Sequence, residues 1–416
     1  MINARPVHYP TLVVLLGWLL PQVALSTEPV PAAGPALELR TLALCRNEFD
    51  HLSWFHPSYL QGQDLASVKA LFAHRLRLYG PCKRVERESG EGWVFHYRTA
   101  ALPLRLYLEG ELISGVIFDR PRPHNDAFSA IDLELQALPG DKAALVERQD
   151  GKRLYSLAPE HPLAIGTSAR LFVLQALVRS VEAGVLRWDG VTALRAEWLT
   201  VPGGLLGSWP AGTPVTLSTV ALLMLGRDDP NAFDQLLAVV GREKVEPLAP
   251  GNEPFLAVGE VFRLHGAVAA KEAEVFAMMK PTQRRTYLPK LLAAPLDGRD
   301  LAGPPRDLLR LTWTATLPTL CKALRQVKGK TAVLVPGSSD VSAEVQGTSA
   351  GVYQHTALVE APGGGLVCIA ATWNRVEGEL DGRLLGSLVA RMSELVRRPR
   401  TGGGDGPVRR DPRTLP

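Results

Sequence analysis

Apolar residues recur at helical spacing over residues 39–52 and 65–79, then alternate with polar ones over 92–98, 102–108 and 111–118. Two helices followed by three strands are expected there, which is the order of a small α+β domain covering 38–122. The segment 120–125, with two prolines, marks its end.

A second unit, 128–397, begins near Phe128, and its strand at 154–157 leads into His161-Pro162-Leu163-Ala164-Ile165-Gly166. The helix expected at 168–183 is apolar over most of its circumference, through Leu171, Phe172, Val173, Leu174, Ala176, Leu177, Val178 and Val181. A helix apolar nearly all round is a central, buried one. Thr167 can cap it and Gly184 ends it. Shorter helices are expected at 217–225, 231–240 and 260–263, then strands at 332–335, 351–360 and 365–372. Ala361-Pro362-Gly363-Gly364 has the composition of a hairpin turn between the last two. An amphipathic helix at 384–397 closes the unit, and no internal repeat is present.

At 416 residues, two compact units plus tails is the expected arrangement. A composition of 46% hydrophobic and 21% charged residues excludes a disordered chain and a multi-span membrane protein. Residues 1–26 read as a secretory signal: Arg5 and His8, an apolar run from Thr11 to Leu20, and small Ala24 and Ser26 before cleavage. An uncleaved anchor is the bland alternative, though the run is short for a membrane span. Residues 27–37 read as a Pro/Ala linker. Residues 398–416, rich in Arg, Gly and Pro, read as a disordered basic tail that contributes to the net charge of +4. A periplasmic or extracellular location follows, with no nucleic-acid partner and no membrane span after cleavage. Thiols tend to pair in such compartments. Cys45 and Cys82, close together in the small unit, are assigned to a disulfide; Cys321 and Cys368 are expected to be buried apolar residues. No zinc spacing, phosphate loop or Rossmann glycine pattern is found, so no metal or cofactor is expected.

Ile165-Gly166-Thr167-Ser168-Ala169-Arg170-Leu171 resembles the I-G-S-x-x-K-L nucleophile segment of class A β-lactamases and their relatives. Val215-Thr216-Leu217, Met224-Leu225, Ala232-Phe233-Asp234, Val240-Gly241-Arg242 and Pro254-Phe255-Leu256 follow in that family's order. The resemblance covers about 250 residues. It implies a β-lactamase/transpeptidase-like domain, an antiparallel sheet plus a helical subdomain. Ile113-Ser114-Gly115-Val116-Ile117-Phe118, which ends the first unit, resembles the two-domain branch in which a steroid-isomerase-like α+β domain precedes it, as in the β-lactamase-fold protein of the clavulanic acid pathway.

The resemblance also implies where the chemistry should lie. The nucleophile and base positions fall on Thr167 and Arg170. A threonine hydroxyl could still attack, but arginine stays protonated and cannot act as a base, a loss on the order of a million-fold in turnover by analogy with protease knockouts. Ser168 becomes the nucleophile only if the register slides by one, a turn of about 100° around the helix that leaves Leu171 at the base position. The second motif, S-D-N, falls on Asp228-Asp229-Pro230, where Asp229 also reads as the cap of a helix that Pro230 starts and Gly241 closes. The third, K-T-G or K-G-G, falls on Gln346-Gly347-Thr348. There the cation is missing, while Thr348 could offer a hydroxyl to a bound carboxylate. Oxyanion-binding N–H groups are expected at Thr167 and near Ser349, and these survive side-chain replacement. The stretch 246–253 lacks the E-x-x-x-N spacing of a deacylating loop, so Glu246 and Glu253 read as surface carboxylates, and Gly203 to Gly207 falls in the family's variable linker. The expected function is that of a secreted homologue with degenerate motifs, weak or inactive, acting by binding a β-lactam-like or carboxylate small molecule or a partner. The alternative is an active β-lactamase or esterase working through an acyl-enzyme.

Overall fold

The computed structural model describes residues 35–88, 90–119, 121–199, 201–266, 270–293, 296, 307–330, 341–377 and 380–398. The expected signal, most of the linker, the strand at 332–335 and all of the basic tail except residue 398 lie outside them. The chain divides into two compact units between Pro121 and Arg122.

In the first unit, helices Pro35–Arg46, Pro57–Leu60 and Leu65–Tyr79 precede strands Cys82–Arg87, Gly92–Tyr97, Ala100–Glu109 and Leu112–Phe118. These four strands form an antiparallel meander in chain order. The core is aromatic, with Phe49, Phe55, Phe72, Trp93, Phe95 and Tyr97 all buried. The helix expected over 39–52 stops at Arg46, because Asn47 takes φ 59° and turns the chain back. Leu65–Tyr79 has the expected bounds, with Asp64 accepting from the Ser67 N–H at its start and Gly80 in the left-handed region at its end. Cys82–Arg87, which alternates too weakly to be expected, is the edge strand, and Cys45 is bonded to Cys82 as assigned.

The second unit is built on a five-stranded antiparallel sheet in the order Val341–Ser349, Val352–Glu360, Leu366–Asn374, Asp141–Arg148, Arg153–Leu157. Its two hairpin halves come from opposite ends of the unit. Ile131, Leu135, Tyr155, Trp373, Leu385 and Leu388 pack on one face, between the sheet and helices Phe128–Ala137 and Gly382–Arg397. On the other face lies the large core around the central helix Arg170–Glu182 and helix Leu317–Val327. Ten consecutive-turn residues of the central helix, from Arg170 to Val178 plus Ser180, are buried. That follows from its all-round apolar pattern, since such a helix has neighbours on every side.

Cys321 and Cys368 are not separate buried residues as expected but are bonded to each other. Both are fully buried. The bond ties helix Leu317–Val327 to the central strand Leu366–Asn374. Their separation of 47 residues hid the pairing; only the fold brings helix and strand together.

Candidate functional site

The chain enters the site along the short strand Leu163–Ala164, which pairs with Thr314–Ala315. Asn374, at the end of the central strand, holds it from the other side: the Ala164 N–H donates to Asn374 Oδ1 at 2.8 Å and Asn374 Nδ2 donates to the Ala164 carbonyl at 2.9 Å. Asn252 braces Thr314 in the same two-way manner, at 2.8 and 2.9 Å. With its approach fixed, the chain turns at Gly166, φ 52°, into a single 3-10 turn, Gly166–Ala169, before the central helix begins at Arg170. Thr167 therefore sits inside that turn and does not cap the helix.

The turn is pressed against the edge strand Val341–Ser349. A β-carbon on Gly347 would overlap the Ser168 backbone and hydroxyl, and one on Gly166 would come within 2.8 Å of the Thr348 carbonyl. On an edge strand alternate residues turn their N–H and C=O outward. Here those residues are 346 and 348. The Gln346 carbonyl accepts from Arg170 Nη2 at 2.6 Å, and the Thr348 N–H donates to Thr167 Oγ1 at 3.3 Å. The strand N–H that faces the nucleophile position is thus Thr348's, one residue before the expected Ser349.

Thr167 Oγ1 in turn donates to Asp228 Oδ2 at 3.2 Å, and Arg170 Nη1 is hydrogen-bonded to Asp228 Oδ1. Asp228 takes φ 52°, a region aspartate tolerates better than most residues. Arg170 is 10% exposed at its side chain and Asp228 49%. Burial pushes the Arg170 guanidinium below its ordinary value, and Asp228 pulls it back up; it stays a cation.

The remaining expected residues fall elsewhere. Asp229 is 1% exposed and accepts from the N–H groups of Asn231, Ala232 and Leu206 at 3.0, 3.1 and 2.9 Å. It caps helix Pro230–Val240 and holds the 201–206 loop. Ser168 is fully buried and donates to Gln354, whose amide reaches Thr356 Oγ1 at 2.6 Å. Successive strand residues point to opposite faces. Since Gly347 faces Ser168, the side chains of Gln346 and Thr348 lie on the other face, where Tyr353, directly opposite Thr348, packs against Gly382 and Gly386 of the closing helix. Val345, 4% exposed, lies on Gly347's face. Glu246 is not a surface group either: it is buried, accepts the Phe255 N–H at 3.1 Å and pairs with Arg285.

Val345 and Asn374 were missed by the sequence reading, which placed Asp228 at the serine of S-D-N but gave it no role. For Val345 a signal existed, since placing the close-packed Gly347 third in K-T-G would put Val345 first. For Asn374 the only trace is a polar residue ending an apolar strand.

No family profile and no curated protein matches the chain. Among solved structures, a β-lactamase from Chitinophaga pinensis is 14% identical over 64% of this chain and 98% of its own, with a TM-score of 0.42. A β-lactamase from Sphaerobacter thermophilus is 16% identical over 65% and 98%, TM-score 0.40. PBP-A is 13% identical over 67% and 97%, TM-score 0.40.

Proposed function

We propose that the second unit is a β-lactamase-like domain that keeps the cleft of a serine hydrolase without its turnover, and acts by binding a ligand or partner. One observation carries this reading: Arg170 stands where an amine base is required, and its guanidinium is committed to Asp228 and the Gln346 carbonyl. A permanent cation accepts no proton from Thr167. The Thr167 hydroxyl also takes up the Thr348 N–H that would stabilise an oxyanion. Export is supported by the two disulfides, which persist in oxidising compartments. Among the described residues no helix is long and apolar enough to cross a membrane. The three helices and four-stranded sheet of the first unit support a steroid-isomerase-like assignment for it.

The second reading, an active β-lactamase or esterase, is favoured by one contact. Thr167 donates to Asp228 at 3.2 Å, so a carboxylate base, oriented by Arg170, is within reach of the nucleophile. Incubation with a chromogenic cephalosporin and a reporter penicillin, followed by intact mass, separates the two. No acyl adduct is expected. A stable adduct on Thr167, abolished by Asp228→Asn, overturns the binding reading in favour of the enzyme.

A further inference from the structure

We propose that the contact between Asp228 and Arg170 is autoinhibitory: Arg170 and the Thr167 hydroxyl form a site for a carboxylate, and the chain fills that site with its own Asp228. The proposal rests on the binding reading and names what the cleft holds. The two oxygens of Asp228 are divided between the two donors, Oδ1 on Arg170 Nη1 and Oδ2 on Thr167 Oγ1. A guanidinium beside a hydroxyl is a donor set that receives a carboxylate of any origin.

Three observations mark Asp228 as an occupant. A buried cation needs an anion, and Arg170, 10% exposed at its side chain, takes its anion from the surface, since Asp228 is 49% exposed. Arg391, buried to a similar degree, has Asp126 buried with it at 3%; among the described residues Arg170 pairs with Asp228 alone. The fit is also partial. Arg170 Nε is buried and has no hydrogen-bond partner, a donor that the tethered side chain leaves unmet. The loop, finally, is anchored on both sides of Asp228. The N–H groups of Arg227 and Asp229 both bond to the Leu223 carbonyl, at 3.1 and 3.2 Å, and the Asp229 carboxylate is held by three further N–H groups. Asp228 stands between these anchors at φ 52°, so its carboxylate can leave by rotation of one side chain while the loop stays in place. A tethered group competes at high effective concentration. The ligand of this cleft is therefore a carboxylate with enough further contacts to displace Asp228.

The experiment is thermal unfolding of the disulfide-bonded protein in sodium formate against sodium chloride at equal ionic strength. With Asp228 in place, formate, which has no further contacts to offer, is expected to act no differently from chloride. Asp228→Gly suits the left-handed backbone, empties the site and leaves Arg170 without its anion. Its melting temperature is expected to fall by several degrees and to climb with the logarithm of formate concentration as the free carboxylate binds. Asp228→Asn, which keeps a hydrogen bond to Arg170 and serves if the glycine variant does not fold, is expected to give a smaller response of the same kind. Adding Arg170→Met to Asp228→Gly is expected to abolish the response. A formate response in the unmodified protein equal to that of the variants, no formate response in either Asp228 variant, or a response that survives Arg170→Met overturns the proposal. Acylation of the unmodified protein by penicillin, with the formate responses as expected, fails the binding reading alone.

Discussion

Gly347 on the edge strand lies flat against Ser168 in the turn that opens the central helix, with no room for a β-carbon between them. This contact brings the outward backbone groups of Gln346 and Thr348 to Arg170 and Thr167. Gly347→Ala is expected to force the strand off the turn, at a cost of about 1–3 kcal/mol as overpacking. Urea unfolding measures the loss, and an unchanged midpoint would show that the turn can give way.

The orientation of Val345 leads to a second expectation. In a Thr167→Ser, Arg170→Lys background, a lysine at 345 points to the Thr167 side of the sheet and a lysine at 346 to the closing helix. Penicillin acylation, followed by mass, is expected to be about ten-fold or more faster with Val345→Lys than with Gln346→Lys. Equal rates would contradict the assignment of faces.

Asp234 is completely buried among Glu260, Arg242 and Arg263 and accepts the N–H groups of Val258 and Gly259 at 2.6 and 2.9 Å. Desolvation pushes its carboxyl up to about 7. The folded protein thus holds a proton that the unfolded chain has released, so this contribution is full below about 4 and is lost as pH rises through 7. Relative to Asp234→Asn, the unmodified protein is expected to lose a few kcal/mol between pH 5 and 8. Parallel stability profiles for the two would disprove the shift.

Arg391 of the closing helix grips both oxygens of Asp126 at 2.7 Å and Glu134 at 2.7 Å, with the Arg391 and Asp126 side chains 5% and 3% exposed. Removing one partner leaves a buried charge alone, so Arg391→Ala is expected to cost about 3–5 kcal/mol. The double change Arg391→Met with Asp126→Leu should recover most of it. Denaturant titration of the unmodified protein and the two variants reads this directly.

The Cys321–Cys368 bond closes a loop through the core beside the central helix. Replacing both cysteines by serine is expected to cost about 2–5 kcal/mol in thermal unfolding. Replacing Cys45 and Cys82 should leave the second unit's transition in place.

Local chemistry was enough to place much of this protein. Asp229 announces a helix start because a cap acts within three residues, and the all-round apolar run at 171–178 requires burial wherever it sits. The short-range hairpin at 361–364 was legible for the same reason. Strand Asp141–Arg148 and helix Phe128–Ala137 were not: one of the strand's two partners, Leu366–Asn374, lies more than 200 residues away, and the helix packs on a sheet assembled from both ends of the unit.

What the sequence by itself determined is the set of groups available at the site: a threonine, an arginine, adjacent aspartates and a glycine on a late strand. The tertiary structure alone decided which of them meet. It turned Asp228 inward to Thr167 and Asp229 into a cap, sent Gln346 to the far face, and paired Cys321 with Cys368. Residue type is a local property; the face a side chain takes is set by strand register, close packing and long-range contact.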